Sequence, residues 1–273
     1  ALRNMGISNS LAYFLHIPFP PPDIFIRLPW RSQILNALLD YDLLGFQTLR
    51  DRRNFIGCLR MFLDRVRIKG KGQVITVHHG SRSRRVGVFP ISIDYEEFEK
   101  LASTQDVTDR AWYIHEHYKN RKILMGVDRL DYSKGIPERL RAFRQALRNY
   151  PDLIEKITFV QVVVPSRRDI VKYADLKTEI EGLVGEINGE FTRSGWVPVH
   201  YMFTSLERPE LVAYYRTSEI ALITPIKDGM NLVAFEYILS QKPKRPENRG
   251  ILVLSKSGAS RVLQQKGFGE EDG

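Results

Sequence analysis

Apolar and polar positions along the chain fall into two alternating kinds of pattern. Residues 11–19 (Leu-Ala-Tyr-Phe-Leu-His-Ile-Pro-Phe) form a continuous apolar run, which predicts a strand buried on both faces, and Pro20, Pro21 and Pro22 then interrupt regular structure. A helical pattern spans about 30–39 and a short apolar segment 43–46. A longer amphipathic helix follows Thr48, a residue suited to the N-cap, with apolar Phe55, Leu59, Phe62 and Val66 recurring every three or four positions. Residues 73–79 and 85–91 read as two strands joined by a turn over 80–84. A polar, helical stretch covers about 95–120, and the run Lys119-Asn-Arg-Lys122 marks a boundary between two domains, 1–119 and 120–273.

Beyond that boundary the alternation sharpens. Strands are expected at 122–127, 157–164, near 200–203, 219–224 and 251–254, with helices at 136–149, about 168–187 and 231–241. In the first of these helices Ile136, Leu140, Phe143 and Leu147 share a face, and Arg139, Arg141, Arg144 and Arg148 are expected to face elsewhere. Strand and helix in strict alternation predict an α/β fold of βαβ units around parallel, doubly wound sheets.

Composition narrows the function classes. In 273 residues, 43% are hydrophobic, 27% charged and 11% aromatic, which is globular rather than disordered. The single cysteine, Cys58, excludes a disulfide framework and fits a reducing compartment; within its helix it reads as a buried thiol. The most apolar stretch, 157–165, is too short for a membrane helix and no signal-peptide pattern opens the sequence, so no membrane partner and a cytoplasmic location are expected. The net charge of +9 raises the question of a polyanionic partner. The cluster Arg82, Arg84, Arg85 lacks interleaved aromatics and reads as a wet hairpin turn, so no nucleic acid is expected.

In doubly wound sheets ligands sit beyond the carboxyl ends of the strands. Four loops qualify. The segment 126–137 leaves a strand and enters a helix at Pro137, carrying Arg129 and Lys134; it suits a diphosphate, or equally a solvated basic loop. The segment 224–236 offers Gly229 for close backbone approach, Met230, Asn231 as a helix cap and Glu236 deep enough for a ribose diol, or an ordinary helix start. Ser166-Arg167-Arg168 can fork a phosphate or simply open a helix. His16, at the end of the first strand, is either a core histidine or a catalytic one.

Other groups carry less. Asp40-Tyr-Asp42 precedes its strand and so lies at the wrong sheet edge for a metal-bound diphosphate. His115-Glu-His117 lacks the spacing of a zinc helix, and His78 and His79 point to opposite sides of a strand. No metal site and no cofactor are expected. Neither a G-x-G-x-x-G nor a P-loop pattern occurs, and no G-x-S-x-G elbow.

Five segments taken in order, Leu15-His-Ile-Pro-Phe-Pro20, Asp42-Leu-Leu-Gly-Phe-Gln-Thr48, Gly87-Val-Phe-Pro-Ile91, Asp128-Arg-Leu-Asp-Tyr-Ser-Lys-Gly135 and Asp228-Gly-Met-Asn-Leu-Val-Ala234, resemble the trehalose-6-phosphate synthase family of retaining glycosyltransferases. The resemblance runs from about residue 11 to 255. It implies a GT-B architecture, with two Rossmann-like domains of which the first is incomplete here, and transfer of glucose from UDP-glucose to glucose 6-phosphate without a metal. By motif, Arg129 and Lys134 would hold the diphosphate, and Asp228 the donor glucose. Gly229, Met230 and the backbone of Asn231, Leu232 and Val233 would line the donor site, and Glu236 would take the ribose. His16 would lie near the donor sugar, and Arg167 would reach the acceptor phosphate. Phe235 stands where the family usually has lysine, and Leu254-Ser-Lys-Ser-Gly-Ala-Ser260 replaces S-E-F-A-G-A-A. An N-terminal acceptor-binding segment and a C-terminal helix of the family are expected to be missing. A glucosylglycerol-phosphate synthase, or a non-catalytic nucleotide-sugar-binding fragment, is the alternative, and a homo-oligomer is compatible with the sequence.

Overall fold

The computed structural model describes residues 5–6, 8–166, 171–256, 259–260 and 263. The chain forms two compact units, divided between Ile91 and Ser92. In the first are β1 (Ala12–Leu15), α1 (Pro22–Phe25), α2 (Arg31–Leu38), β2 (Leu43–Phe46), α3 (Leu49–Phe62), β3 (Arg67–Lys69), β4 (Val74–His79) and β5 (Arg82–Val88). In the second are α4 (Tyr95–Ala102), α5 (Gln105–His117), β6 (Lys122–Arg129), α6 (Ile136–Asn149), β7 (Ile157–Val164), α7 (Val171–Phe191), β8 (Val199–Met202), α8 (Arg208–Thr217), β9 (Ile220–Ile223), α9 (Leu232–Gln241) and β10 (Ile251–Leu254).

The first sheet has the order β1-β2-β5-β4-β3. Its strands β1, β2 and β5 run parallel, and β3 and β4 are antiparallel to their neighbours, so the sheet is mixed. The strand predicted at 11–19 is shorter and lies at the edge, where Tyr13 and Phe14 stay 38% and 37% exposed instead of buried. The turn between β4 and β5 is tighter than expected: His79 pairs with Arg82, and Gly80 at φ +61° makes the two-residue connection possible. Arg84 therefore sits within β5, 8% exposed, its guanidinium donating to the carbonyls of Leu39 and His79. The expectation of a wholly wet arginine turn fails at that residue, because strand alternation turns it inward. Thr48 caps α3 as predicted, accepting from the Asp51 N–H. Cys58 is fully buried on that helix, and burial, followed by the charge of Asp23, pushes its thiol up to about 11.

The second sheet is fully parallel, in the order β10-β9-β6-β7-β8. The chain winds outward from β6 through β7 to β8, then crosses to the other side for β9 and β10. The strand order thus reverses between β6 and β9, the position where such sheets open a crevice. Helices cover both faces over two cores, one built around Val160, Tyr215 and Tyr237, the other around Phe143, Phe159 and Trp196. The segment 92–119, assigned from sequence to the first domain, packs with this second unit. Phe98, Ala102, Val107 and Tyr118 join its core, so the apolar stripes of α4 and α5 outweigh the basic run that suggested the boundary.

On α6 the apolar stripe is buried as predicted, and Arg141, Arg144 and Arg148 face outward to Glu179, Glu186 and Glu190 of α7. Arg139 departs from the prediction. It lies three residues after Ile136, on the same face, and is 4% exposed. Its Nη1 donates to Asp128 Oδ2 at 2.6 Å and to Gln161 Oε1 at 3.1 Å, its Nε to Thr224 Oγ1 at 3.0 Å, and its Nη2 to the Lys134 carbonyl at 3.3 Å. Gly126 makes room for this network: a Cβ there would stand 2.5 Å from Gln161 Oε1 and 2.6 Å from Arg139 Nη1. Removing one partner of a buried ion pair leaves an uncompensated charge. Arg139→Met is therefore expected to destabilise the second unit by about 3–5 kcal/mol in urea unfolding followed through the buried Trp196, and Asp128→Leu added to it to recover much of the loss. A loss below about 1 kcal/mol would contradict this account.

Candidate active site

The carboxyl ends of β6 and β9 carry the two loops singled out from sequence, and backbone bonds join them. The N–H groups of Ile226 and Lys227 both donate to the Ser133 carbonyl, at 2.9 and 3.2 Å. After β6, Asp131 caps a single 3-10 turn, its Oδ1 accepting from the Ser133 N–H at 2.9 Å and hydroxyl at 2.8 Å. Burial raises the Asp131 carboxyl, but those two bonds and the charges of Lys134 and Arg129 outweigh it and hold the group below the usual carboxylate range. Gly135 then takes φ +66°, and a Cβ there would meet the Thr224 carbonyl at 2.7 Å. Glycine is thus required both by conformation and by space, because the second loop passes directly over the first.

Lys134 and Asp228 meet across these loops, with Nζ and Oδ2 2.7 Å apart and side chains only 13% and 8% exposed. Asp228 Oδ2 also accepts from Asn231 Nδ2 at 3.2 Å, and Asn231 Oδ1 caps α9 by accepting the Val233 N–H at 3.1 Å. One loop's cation, the other loop's carboxylate and the cap of a helix form a single connected group. The capping bond occupies Val233's own N–H. The free donors of the first turn lie on its neighbours, and the positive end of the α9 dipole faces the same loops.

The remaining predicted residues are placed as follows. Arg129 is the last residue of β6 and exposed. Gly229 and Met230 are buried in the loop before α9, and Leu232 and Val233 half-buried in its first turn. Glu236 is half-buried on α9; burial raises its carboxyl above the usual range, opposed by a bond from the Tyr215 hydroxyl at 3.1 Å and by the charge of Arg208. Phe235 points into the core at 4% exposure. Arg167 lies outside the described residues. Among the described residues no group of three or more His, Cys, Asp and Glu side chains is placed to share a metal ion, and no helix is long and apolar enough to cross a membrane.

His16 belongs to the first unit and follows β1 directly. Its Nδ1 lies 2.8 Å from Nε2 of Gln47, which follows β2, and Gln47 Oε1 accepts the Ile91 N–H, beyond β5, at 2.9 Å. One buried amide joins the ends of three parallel strands. The backbone N–H can only donate, so it turns the Gln47 oxygen toward Ile91 and the amide nitrogen toward His16. His16 Nδ1 must then accept, and the imidazole proton sits on the outward Nε2. Sequence pattern alone does not single out Gln47 or Arg139 as positioning residues; an arginine on the apolar stripe of α6 is the signal it does carry. Imidazole 15N shifts are expected to show an unprotonated Nδ1 and a protonated Nε2 in the parent, and a tautomer mixture in Gln47→Leu. A protonated Nδ1 in the neutral parent ring would contradict the assignment.

The sequence matches the model of Glycosyltransferase family 20 over residues 1–268. It is 43% identical over 264 residues to the alpha,alpha-trehalose-phosphate synthase [UDP-forming] A of Dictyostelium discoideum, covering 96% of this chain and 35% of that protein. It is 40% identical to the trehalose-6-phosphate synthase of Cronobacter sakazakii, covering 96% of this chain and 54% of that one. The chain thus spans about half the length or less of these relatives. Among solved structures it is similar to an alpha,alpha-trehalose-phosphate synthase (UDP-forming) from Burkholderia xenovorans in complex with glucose-6-phosphate, with a TM-score of 0.89, 37% identity, and 96% of this chain and 57% of that one covered. An E. coli trehalose-6-phosphate structure bound with UDP-2-fluoro glucose gives a TM-score of 0.86 at 39% identity, with the same shares covered. The α/β fold class of GT-B type expected from sequence is borne out by these likenesses. With the family model matched over residues 1–268, the chain belongs to glycosyltransferase family 20.

Proposed function

We propose that the chain carries the donor-handling part of a UDP-forming trehalose-6-phosphate synthase, which moves glucose from UDP-glucose to glucose 6-phosphate. The observation that carries this reading is the group Lys134, Asp228 and Asn231, built where β6 and β9 diverge and held there by the buried Arg139. Relatives crystallised with glucose-6-phosphate and with UDP-2-fluoro glucose support the substrate classes.

In this reading the donor's diphosphate lies against Lys134, Arg129 and the start of α9. The bond between the sugar's anomeric carbon and the diphosphate oxygen breaks while the acceptor hydroxyl bonds to the same carbon from the same face. The acceptor's proton passes to the departing oxygen, so no carboxylate pair of glycosidase type is needed. Negative charge develops on the leaving group, and fixed cations and helix N–H groups aimed at that position lower the barrier. They supply the charge compensation for which other enzymes use a metal. Asp228, freed from Lys134 as the diphosphate takes its place, is available to a sugar hydroxyl. Glu236 accepts from the ribose diol.

Lys134→Ala and Arg129→Ala are each expected to lower glucose-6-phosphate-dependent UDP release by about 10²–10³-fold, and EDTA to leave the parent's rate unchanged. Turnover in both variants equal to the parent, or loss of activity on chelation, would overturn the assignment. Glu236 supplies a check that does not depend on turnover. An acid whose folded pKa is raised contributes stability below its unfolded pKa and loses it as pH rises through the folded value. Glu236→Gln is therefore expected to raise Tm at pH 7, with the gain fading toward pH 4, while weakening UDP binding. A variant less stable than the parent at pH 7 would show that the carboxylate is retained for packing.

A further inference from the structure

The second unit has a 460 Å³ cavity at the amino-terminal edge of its sheet. Its lining comes from α5, through Ala111 and His115, and from the segments that enter the strands. Lys122 opens β6, Glu219 immediately precedes β9, Arg216 lies in the last turn of α8, and Lys244, Glu247 and Arg249 lie between α9 and β10. The eight residues of β6 separate this edge from the Lys134 loop by roughly 25 Å, so the cavity is not part of the site described above.

Its charges do not balance internally. Four cations face two carboxylates, and one of these, Glu219, is already engaged: its Oε2 accepts the Ile123 N–H at 2.8 Å and its Oε1 stands 3.6 Å from Lys122 Nζ. Arg216 uses Nη1 on two neutral oxygens, the Ala102 carbonyl at 3.2 Å and Thr108 Oγ1 at 2.9 Å, which fix its direction without neutralising it. Lys244 is half-buried and, among the described residues, has no carboxylate within ion-pair distance. Burial, and then the charges of Lys122 and Arg216, hold its ammonium below the usual lysine range against the opposing pull of Glu219. An anion seated there would relieve each of these strains at once.

We propose that this cavity is a second ligand site, for a small phosphate monoester, whose phosphate sits among Lys244, Arg216 and Arg249 while its organic part occupies the remaining volume. Two guanidinium forks and an ammonium match a tetrahedral dianion with three terminal oxygens. The volume exceeds what inorganic phosphate needs and falls within the range of small-molecule pockets. Among the described lining residues the His115 imidazole is the one ring, with no Phe, Tyr or Trp to build a stacking platform, which disfavours a single-stranded nucleic acid.

Acetylation of lysines, read residue by residue by mass spectrometry, tests this with glycerol 3-phosphate, inorganic phosphate or glycerol present. Glycerol 3-phosphate is expected to protect Lys244 at least fivefold, inorganic phosphate less, and glycerol not at all. In calorimetry Lys244→Met and Arg249→Gln are each expected to weaken glycerol 3-phosphate binding at least tenfold, and Lys134→Met to leave it unchanged. Equal labelling of Lys244 with and without the ester overturns the site. Binding lost in Lys134→Met but kept in Lys244→Met assigns the phosphate to the strand-end loops instead and likewise overturns it. Equal protection by inorganic phosphate overturns the ester assignment, because the organic part then has no seat.

Discussion

A guanidinium buried among four partners decides where two loops of the second unit can stand. Arg139 and Asp128 both leave water, at a desolvation cost of several kcal/mol per ion that only close geometry and further hydrogen bonds offset. The offset comes from Gln161, Thr224 and the Lys134 carbonyl, which belong to three different segments of the chain. The pair is therefore satisfied only when β6, β7 and the ends of both loops are in register. Gly126 and Gly135 serve the same constraint, one by leaving room for the guanidinium and the other by letting the second loop pass over the first. Stability and site geometry are coupled through one side chain.

From that constraint the electrostatics of the site follow. With Lys134 held by its carbonyl and by Asp228, and Asn231 bridging Asp228 to the first turn of α9, a lysine, a carboxylate and a helix start form one connected group at the strand ends. The pairing of Lys134 with Asp228 lowers the cost of keeping a lysine at 13% exposure. In the first unit Gln47 plays a comparable part. A single buried amide fixes the ends of β1, β2 and β5 and, through them, the direction in which His16 can donate. Both units orient chemically useful side chains by burying a polar group that has only one satisfactory arrangement.

Much of this was legible in the sequence because periodicity and loop chemistry agree. The apolar stripe of α6, the strands at 157–164 and 251–254, and the caps Thr48 and Asn231 lie where the pattern put them. The loops carrying Lys134 and Asp228 were found as polar segments directly after apolar runs. What escaped depends on tertiary partners. An arginine at position 139 reads as solvated until Asp128 and Gln161 are brought to it, and Arg84 reads as a turn residue until a two-residue hairpin draws it into β5. An apolar run such as 11–19 does not distinguish an edge strand from a central one, because the distinction rests on which strands lie beside it. The boundary was displaced for a related reason: the basic run 119–122 is conspicuous, whereas the packing of Phe98 and Val107 is not.

The central claim is that the joined loops of the second unit form a site for a diphosphate, with affinity residing in the charged part of the ligand. Calorimetric titration of the chain with UDP, UMP and uridine tests this most directly. The account predicts that UDP binds at least a hundredfold more tightly than uridine, with UMP between them and the preference diminishing as salt is raised. Equal affinities for UDP and uridine, or a preference indifferent to salt, would contradict it.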